Sequence, residues 1–86
     1  MANDNRRELQ ALYAKLAKLL KRQIAATEVD ILYDQKAVQL HQQGHPGFVS
    51  SRVAVITQEM LLRNEARLRL MQEEYTLLQQ MMEELS

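Results

Sequence analysis

The sequence has no cysteine and no tryptophan, a single proline, two glycines and 5% aromatic residues. Without cysteine there is no disulfide framework and no thiol chemistry. With one proline and two glycines, almost nothing interrupts a helix. Apolar runs reach only three or four residues, far short of a membrane-spanning helix. The segment from Met1 to Glu8 is polar and lacks the apolar stretch of a signal peptide. These absences lead us to expect a soluble, cytoplasmic protein without a membrane partner. The formal net charge is zero, so no overall field calls for nucleic acid or an anionic surface.

What is present is a helical composition in a chain of 86 residues, one domain at most. Alanine, leucine, glutamine, glutamate, lysine and arginine dominate, and these favour helix over strand. The strongest pattern lies in the second half. Thr57, Leu61, Asn64, Leu68, Met71, Tyr75, Leu78, Met82 and Leu85 advance in steps of four and three without a slip. Only Thr57 and Asn64 in this row are polar. That is the heptad signature of a helix lying along another helix.

One strong break interrupts the chain, at Gly44-His45-Pro46-Gly47. Gly44 suits the left-handed position that closes a helix. Pro46 biases His45 away from helical geometry. Ser50 or Ser51 can then cap the next helix. The spacing predicts a helix over about 4–43, a turn over 44–49 and a helix over about 50–84. A short connection makes the two helices antiparallel neighbours. Counting outward from the turn, residues whose numbers sum to about 94 should lie side by side.

Local charge supports that pairing. Residues 1–22 hold six bases against Asp4 and Glu8, a local charge of +4. Residues 73–86 hold Glu73, Glu74, Glu83 and Glu84 and no base, a local charge of −4. A hairpin sets the basic start beside the acidic end. Each exposed pair is weak, about 0–1 kcal/mol, so the charges select a register more than they stabilise it.

The apolar surface exceeds what two helices need from each other. Beside its main row, helix 2 carries a second one: Val53, Ile56, Met60, Leu70, Leu77 and Met81. Helix 1 is broad too, with Leu9, Leu12, Tyr13, Leu16, Leu19, Leu20 and Ile24, then Val29, Ile31, Leu32, Tyr33, Val38 and Leu40. A two-helix contact uses a narrow seam, so two adjacent rows imply a further helical neighbour. The expected fold is an all-α antiparallel two-helix hairpin that self-associates into, or completes, a four-helix-type bundle. The second row of helix 2 is its expected partner-binding surface. Met60, Met71, Met81 and Met82 crowd this helix, and methionine adapts to irregular surfaces.

Midway along the seam a polar belt is expected. Asp30, Asp34, Arg63, Asn64 and Arg67 fall at one level, with Thr27. A single seam asparagine often fixes register at some expense of stability. On that reading Asp34, Arg63, Asn64 and Arg67 form a register-setting layer, and Asn64→Leu should raise the melting temperature.

Other constellations are weaker. His41 and His45 have the spacing of a helical zinc pair, but Gly44 and Pro46 break the helix beside them and no further ligand completes a site. No metal and no cofactor is expected. Lys15, Lys18, Lys21 and Arg22 lie on neighbouring turns and form a candidate nucleic-acid face. In this they are similar to the Rop-type copy-control hairpins, which dimerise and bind RNA through a helix face. No aromatic is interleaved with the lysines, and a solvated basic face is the simpler account.

Arg7-Glu8-Leu9, Leu12, Leu16, Leu19-Leu20 and Arg22 resemble the first helix of the all-helical chorismate mutases. That family also implies a basic residue about two turns further on and a short second helix with charged catalytic groups. Here Ile24 to Asp34 holds no lysine or arginine, and one turn leads into one long helix. No other acid–base or nucleophile constellation replaces these groups, so no enzyme activity is expected. The outline of two helices, one Gly/Pro turn and broad apolar faces is similar to the small helical co-chaperones of type III secretion needle subunits. The functional expectation is a protein-binding adaptor, chaperone or regulator, acting as a dimer or with a protein partner.

Overall fold

A computed structural model describes the backbone of residues 2–44 and 51–86, and the side chains of 5–44, 55 and 57–86. It is all-helical. Helix α1 runs Ala2–Gln42 and helix α2 runs Ser51–Leu85. The two contact each other as a hairpin. The molecule is a rod of 64 × 15 × 15 Å with a radius of gyration of 19.0 Å. Its length matches a 41-residue helix at about 1.5 Å per residue.

The end of α1 is built as its residues dictate. Gly44 has φ +72° and donates its amide N–H to the His41 carbonyl at 2.9 Å. Glycine thus closes the helix from the left-handed position, where a Cβ would be strained. Gln43 N–H still reaches the Gln39 carbonyl at 3.0 Å, so the helical pattern holds up to the closing glycine. His45, Pro46 and Ser50 lie outside the described residues, as does the side chain of Ser51, so the cap expected on α2 falls there too.

The seam of α2 is the heptad row. Met71 and Leu78 are buried, and Thr57, Leu61, Asn64, Leu68, Tyr75, Met82 and Leu85 are half-buried. The seam of α1 is less obvious from its residue types. Gln10, Tyr13, Ala17, Leu20, Ile24, Thr27, Ile31, Asp34, Val38 and His41 are buried or half-buried and advance by alternating threes and fours. Small and polar residues thus alternate with large ones on α1, opposite a row of large residues on α2. Such size alternation lets two facing rows interdigitate.

Register is fixed at two points. Gln10 Nε2 donates to the Leu85 carbonyl at 3.0 Å, closing the open end. Asn64 Nδ2 donates to Asp34 Oδ2 at 3.1 Å, nearer the turn. The first contact pairs residues whose numbers sum to 95 and the second to 98, so the seam follows the helical rise from the turn to the termini. The buried apolar core is thin. It consists of Ile31, Ala37, Met71 and Leu78 among the described residues, and no large side chain is fully buried.

Candidate functional site

The seam leaves a second apolar surface uncovered. Leu9, Leu12, Leu16 and Leu19 each precede a seam residue of α1 by one position, and they are 39–54% exposed. Leu70, Leu77 and Met81 stand in the same relation to the seam of α2, at 42–59% exposed. Stepping back one residue rotates a side chain by about 100° around its helix. In an antiparallel pair that rotation carries both rows to the same side of the hairpin. The groove between them confirms the geometry: it has a volume of about 410 Å³ and is lined by Leu16, Leu19, Leu20 and Gln23 of α1 and Glu74, Leu77, Leu78 and Met81 of α2.

The opposite side is mostly polar. Lys21 and Ile24 share a groove there with Gln72, Tyr75 and Thr76. Exposed Leu32 and Leu62 are the apolar exceptions. The hairpin is therefore two-faced. One side is an apolar strip concentrated at the open end, and the other is a solvated surface.

The strip changes character towards the turn. Gln23 and Asp30 continue it on α1 and Glu74, Arg67 and Arg63 on α2, all exposed. Beyond them the exposed Tyr33 and Met60 make it apolar again. The expected polar belt thus divides in two. Asp34, 6% exposed, and half-buried Asn64 join across the seam, and Thr27, 7% exposed, returns its hydroxyl to the Gln23 carbonyl at 2.8 Å. Asp30, Arg63 and Arg67 instead stand on the strip. One position along a helix separates a seam residue from a strip residue, and the charge belt straddles that boundary.

The remaining expected site residues are distributed as follows. Met60, Leu70, Leu77 and Met81 are exposed on the strip. Val53 and Ile56 belong to α2, but their side chains lie outside the described residues. Lys15, Lys18, Lys21 and Arg22 are all exposed. Lys18, Lys21 and Arg22 line a shallow groove with Ala25, while Lys15 projects from the outer edge of α1, away from α2. His41 is half-buried and makes an interaction, and its expected companion His45 lies outside the described residues. Among the described residues no group of three or more histidine, cysteine, aspartate or glutamate side chains comes together as a metal site. None of their helices is long and apolar enough to cross a membrane.

The leucine row of α1 was visible in the sequence, but its separation from the seam was not. Residue types alone do not separate Leu9, Leu12, Leu16 and Leu19 from Tyr13, Leu20 and Ile24, which take the seam. No family model, curated protein or solved structure matches the chain. An open apolar groove between two helices, with charged residues of both signs beyond its turn-side end, can receive an amphipathic helix.

Proposed function

We propose that the chain is a non-enzymatic protein-interaction module. Its strip of Leu9, Leu12, Leu16, Leu19, Leu70, Leu77 and Met81 takes up further helices, from itself or from another protein, to make a four-helix-type bundle. The observation that carries this reading is the placement of both exposed apolar rows on one side of the hairpin, around one groove. A contiguous apolar patch of this kind is uncommon on a monomer that works alone. A hairpin with so thin a core also gains stability by covering it. Adaptor, small chaperone and regulator are the roles such a surface serves.

The test compares the wild type with a Leu16→Gln/Leu77→Gln variant. Both sites are exposed, so the variant keeps its helical circular dichroism spectrum. Mass in solution, and capture of host proteins on the immobilised chain, should both report association for the wild type and its loss in the variant. A wild-type chain that stays monomeric at tens of micromolar and retains no host protein contradicts the proposal.

A further inference from the structure

We infer that the occupant of the apolar strip is a second copy of this chain, docked with both Gly44 turns at the same end and with α1 of each copy lying on α2 of the other. The inference rests on the reading of the strip as a protein-binding surface and adds its occupant and geometry.

The size of the side that carries the strip is the first argument. One 64 by 15 Å side of the rod offers roughly 960 Å² to a partner, close to the ~800 Å² per partner of a standard stable interface. The order of residues along the strip is the second. Face-to-face dimers of a rod-shaped hairpin have two simple two-fold axes, one along the rod and one across it. An axis along the rod keeps each level opposite the same level and exchanges α1 for α2. Levels follow the register of the seam, whose contacts Gln10–Leu85 and Asp34–Asn64 pair numbers summing to 95 and 98. Leu16 then meets Met81 of the second copy, Gln23 meets Glu74, and Asp30 meets Arg67. Leu16 and Leu19 face Met81 and Leu77, and the single acid of the α1 strip faces a base. The two-fold repeats each contact, so Asp30 and Arg67 form two charge pairs at the middle of the interface.

An axis across the rod gives a different outcome. It sets α1 on α1 and α2 on α2, with open end over turn. At full overlap of the 64 Å rods Arg67 lands on Met81, and Asp30 lands beside Leu16, with no strip base opposite. Charge facing an apolar row without a partner is unfavourable on desolvation. The sequence of the strip therefore favours the axis along the rod.

Two measurements decide the matter. The chain has no cysteine, so Gln42→Cys, an exposed residue near the turn, provides a single site for a spin label. The expected result is a dimer by mass with a label-to-label distance well under half of the 64 Å rod. A dimer whose labels are separated by most of the rod length overturns the arrangement and leaves the interaction module standing. A monomer that still captures a host protein through the strip overturns the second copy as occupant, again without touching the broader reading. A monomer that captures nothing overturns both.

The second measurement uses charge reversal. Asp30→Arg and Arg67→Asp should each weaken the homodimer by about tenfold, because two attractive contacts become two repulsive ones. An equal mixture of the two variants should form a mixed dimer about as tight as the wild type, since each new base then meets a new acid. Recovery on mixing requires the contact to pass between copies. Failure of the mixture to recover, with both variants folded by circular dichroism, refutes the proposed pairing.

Discussion

Asn64 Nδ2 donates a hydrogen bond to Asp34 Oδ2 at 3.1 Å, joining residues thirty positions apart across the seam. The bond changes what the seam asparagine is expected to do. As an isolated register-setting residue, Asn64 would be replaced by leucine with a gain in stability. As the donor to a buried carboxylate, it leaves an acceptor without its partner when it is removed, which costs about 1–3 kcal/mol. Asn64→Leu should therefore lower the melting temperature. Asp34→Leu combined with Asn64→Leu should recover most of the loss, because replacing both partners by apolar groups is nearly neutral. Thermal unfolding of the two single variants and the double variant measures the coupling directly. Additive losses would mean that the bond contributes nothing beyond its parts.

Leu77 and Leu78 are neighbours in sequence with opposite roles, being 58% and 9% exposed. Leu78→Ala should destabilise the hairpin by about 2–3 kcal/mol, towards the low end for leucine because the core is thin. Leu77→Ala should change the unfolding of the isolated hairpin by less than about 1 kcal/mol and should weaken association instead. Denaturant unfolding at low and high protein concentration separates the two effects. Equal losses at both sites, independent of concentration, would argue that Leu77 is core.

Gly44 has a left-handed φ of +72° and open space around its missing Cβ. Gly44→Ala therefore meets no clash, and its effect is conformational alone. A loss of about 1 kcal/mol is expected, as for other residues placed in this region. Gly44→Asn should lose less, since asparagine tolerates the conformation. A neutral Gly44→Ala would show that the turn relaxes without penalty.

The opposite charges of the chain ends give a fourth prediction. Glu73, Glu74, Glu83 and Glu84 are exposed in the half of the rod that holds Lys15, Lys18, Lys21 and Arg22. Changing the four glutamates to lysine should reduce stability by about 1–2 kcal/mol in total, and the loss should shrink at high salt. If the basic residues instead form a nucleic-acid face, the same change should leave stability nearly untouched and strengthen RNA binding steeply at low salt. Melting temperature and RNA affinity of one variant at two salt concentrations choose between the outcomes.

The two helices differ in how readily their roles can be read from sequence, and the reason is physical. On α2 the seam is occupied by Leu61, Leu68, Met71, Tyr75, Leu78, Met82 and Leu85, so apolarity and position coincide and the heptad is plain. On α1 the seam holds Gln10, Ala17, Thr27, Asp34 and His41 among its residues. Small and polar groups fit there because α2 supplies the bulk opposite them and Asn64 supplies a donor. A pattern of apolar residues on α1 therefore groups Leu9, Leu12, Leu16 and Leu19, which lie one position off the seam, with the seam's own Tyr13, Leu20 and Ile24. The two-faced character of the hairpin becomes visible only once the seams of both helices are known, because it depends on which rows turn to the same side. Gly44 stood out because a single conformation, open to glycine and closed to most residues, is enough to end a helix.

The contact between Gln10 and Leu85 has a kinetic side. These residues are 75 positions apart in sequence, whereas pairs beside the turn are separated by few. A chain with one turn and one seam closes as a zipper from Gly44 outwards, each layer shortening the loop for the next. The open end is then the last to close and the first to fray, and it is where the leucine strip is assembled. Amides of Leu12 to Leu19 should exchange with solvent faster than those around Ile31 in dilute protein, and should slow as concentration rises and a partner covers the strip. Exchange rates at the open end that ignore concentration would show that the zipper holds itself shut without help.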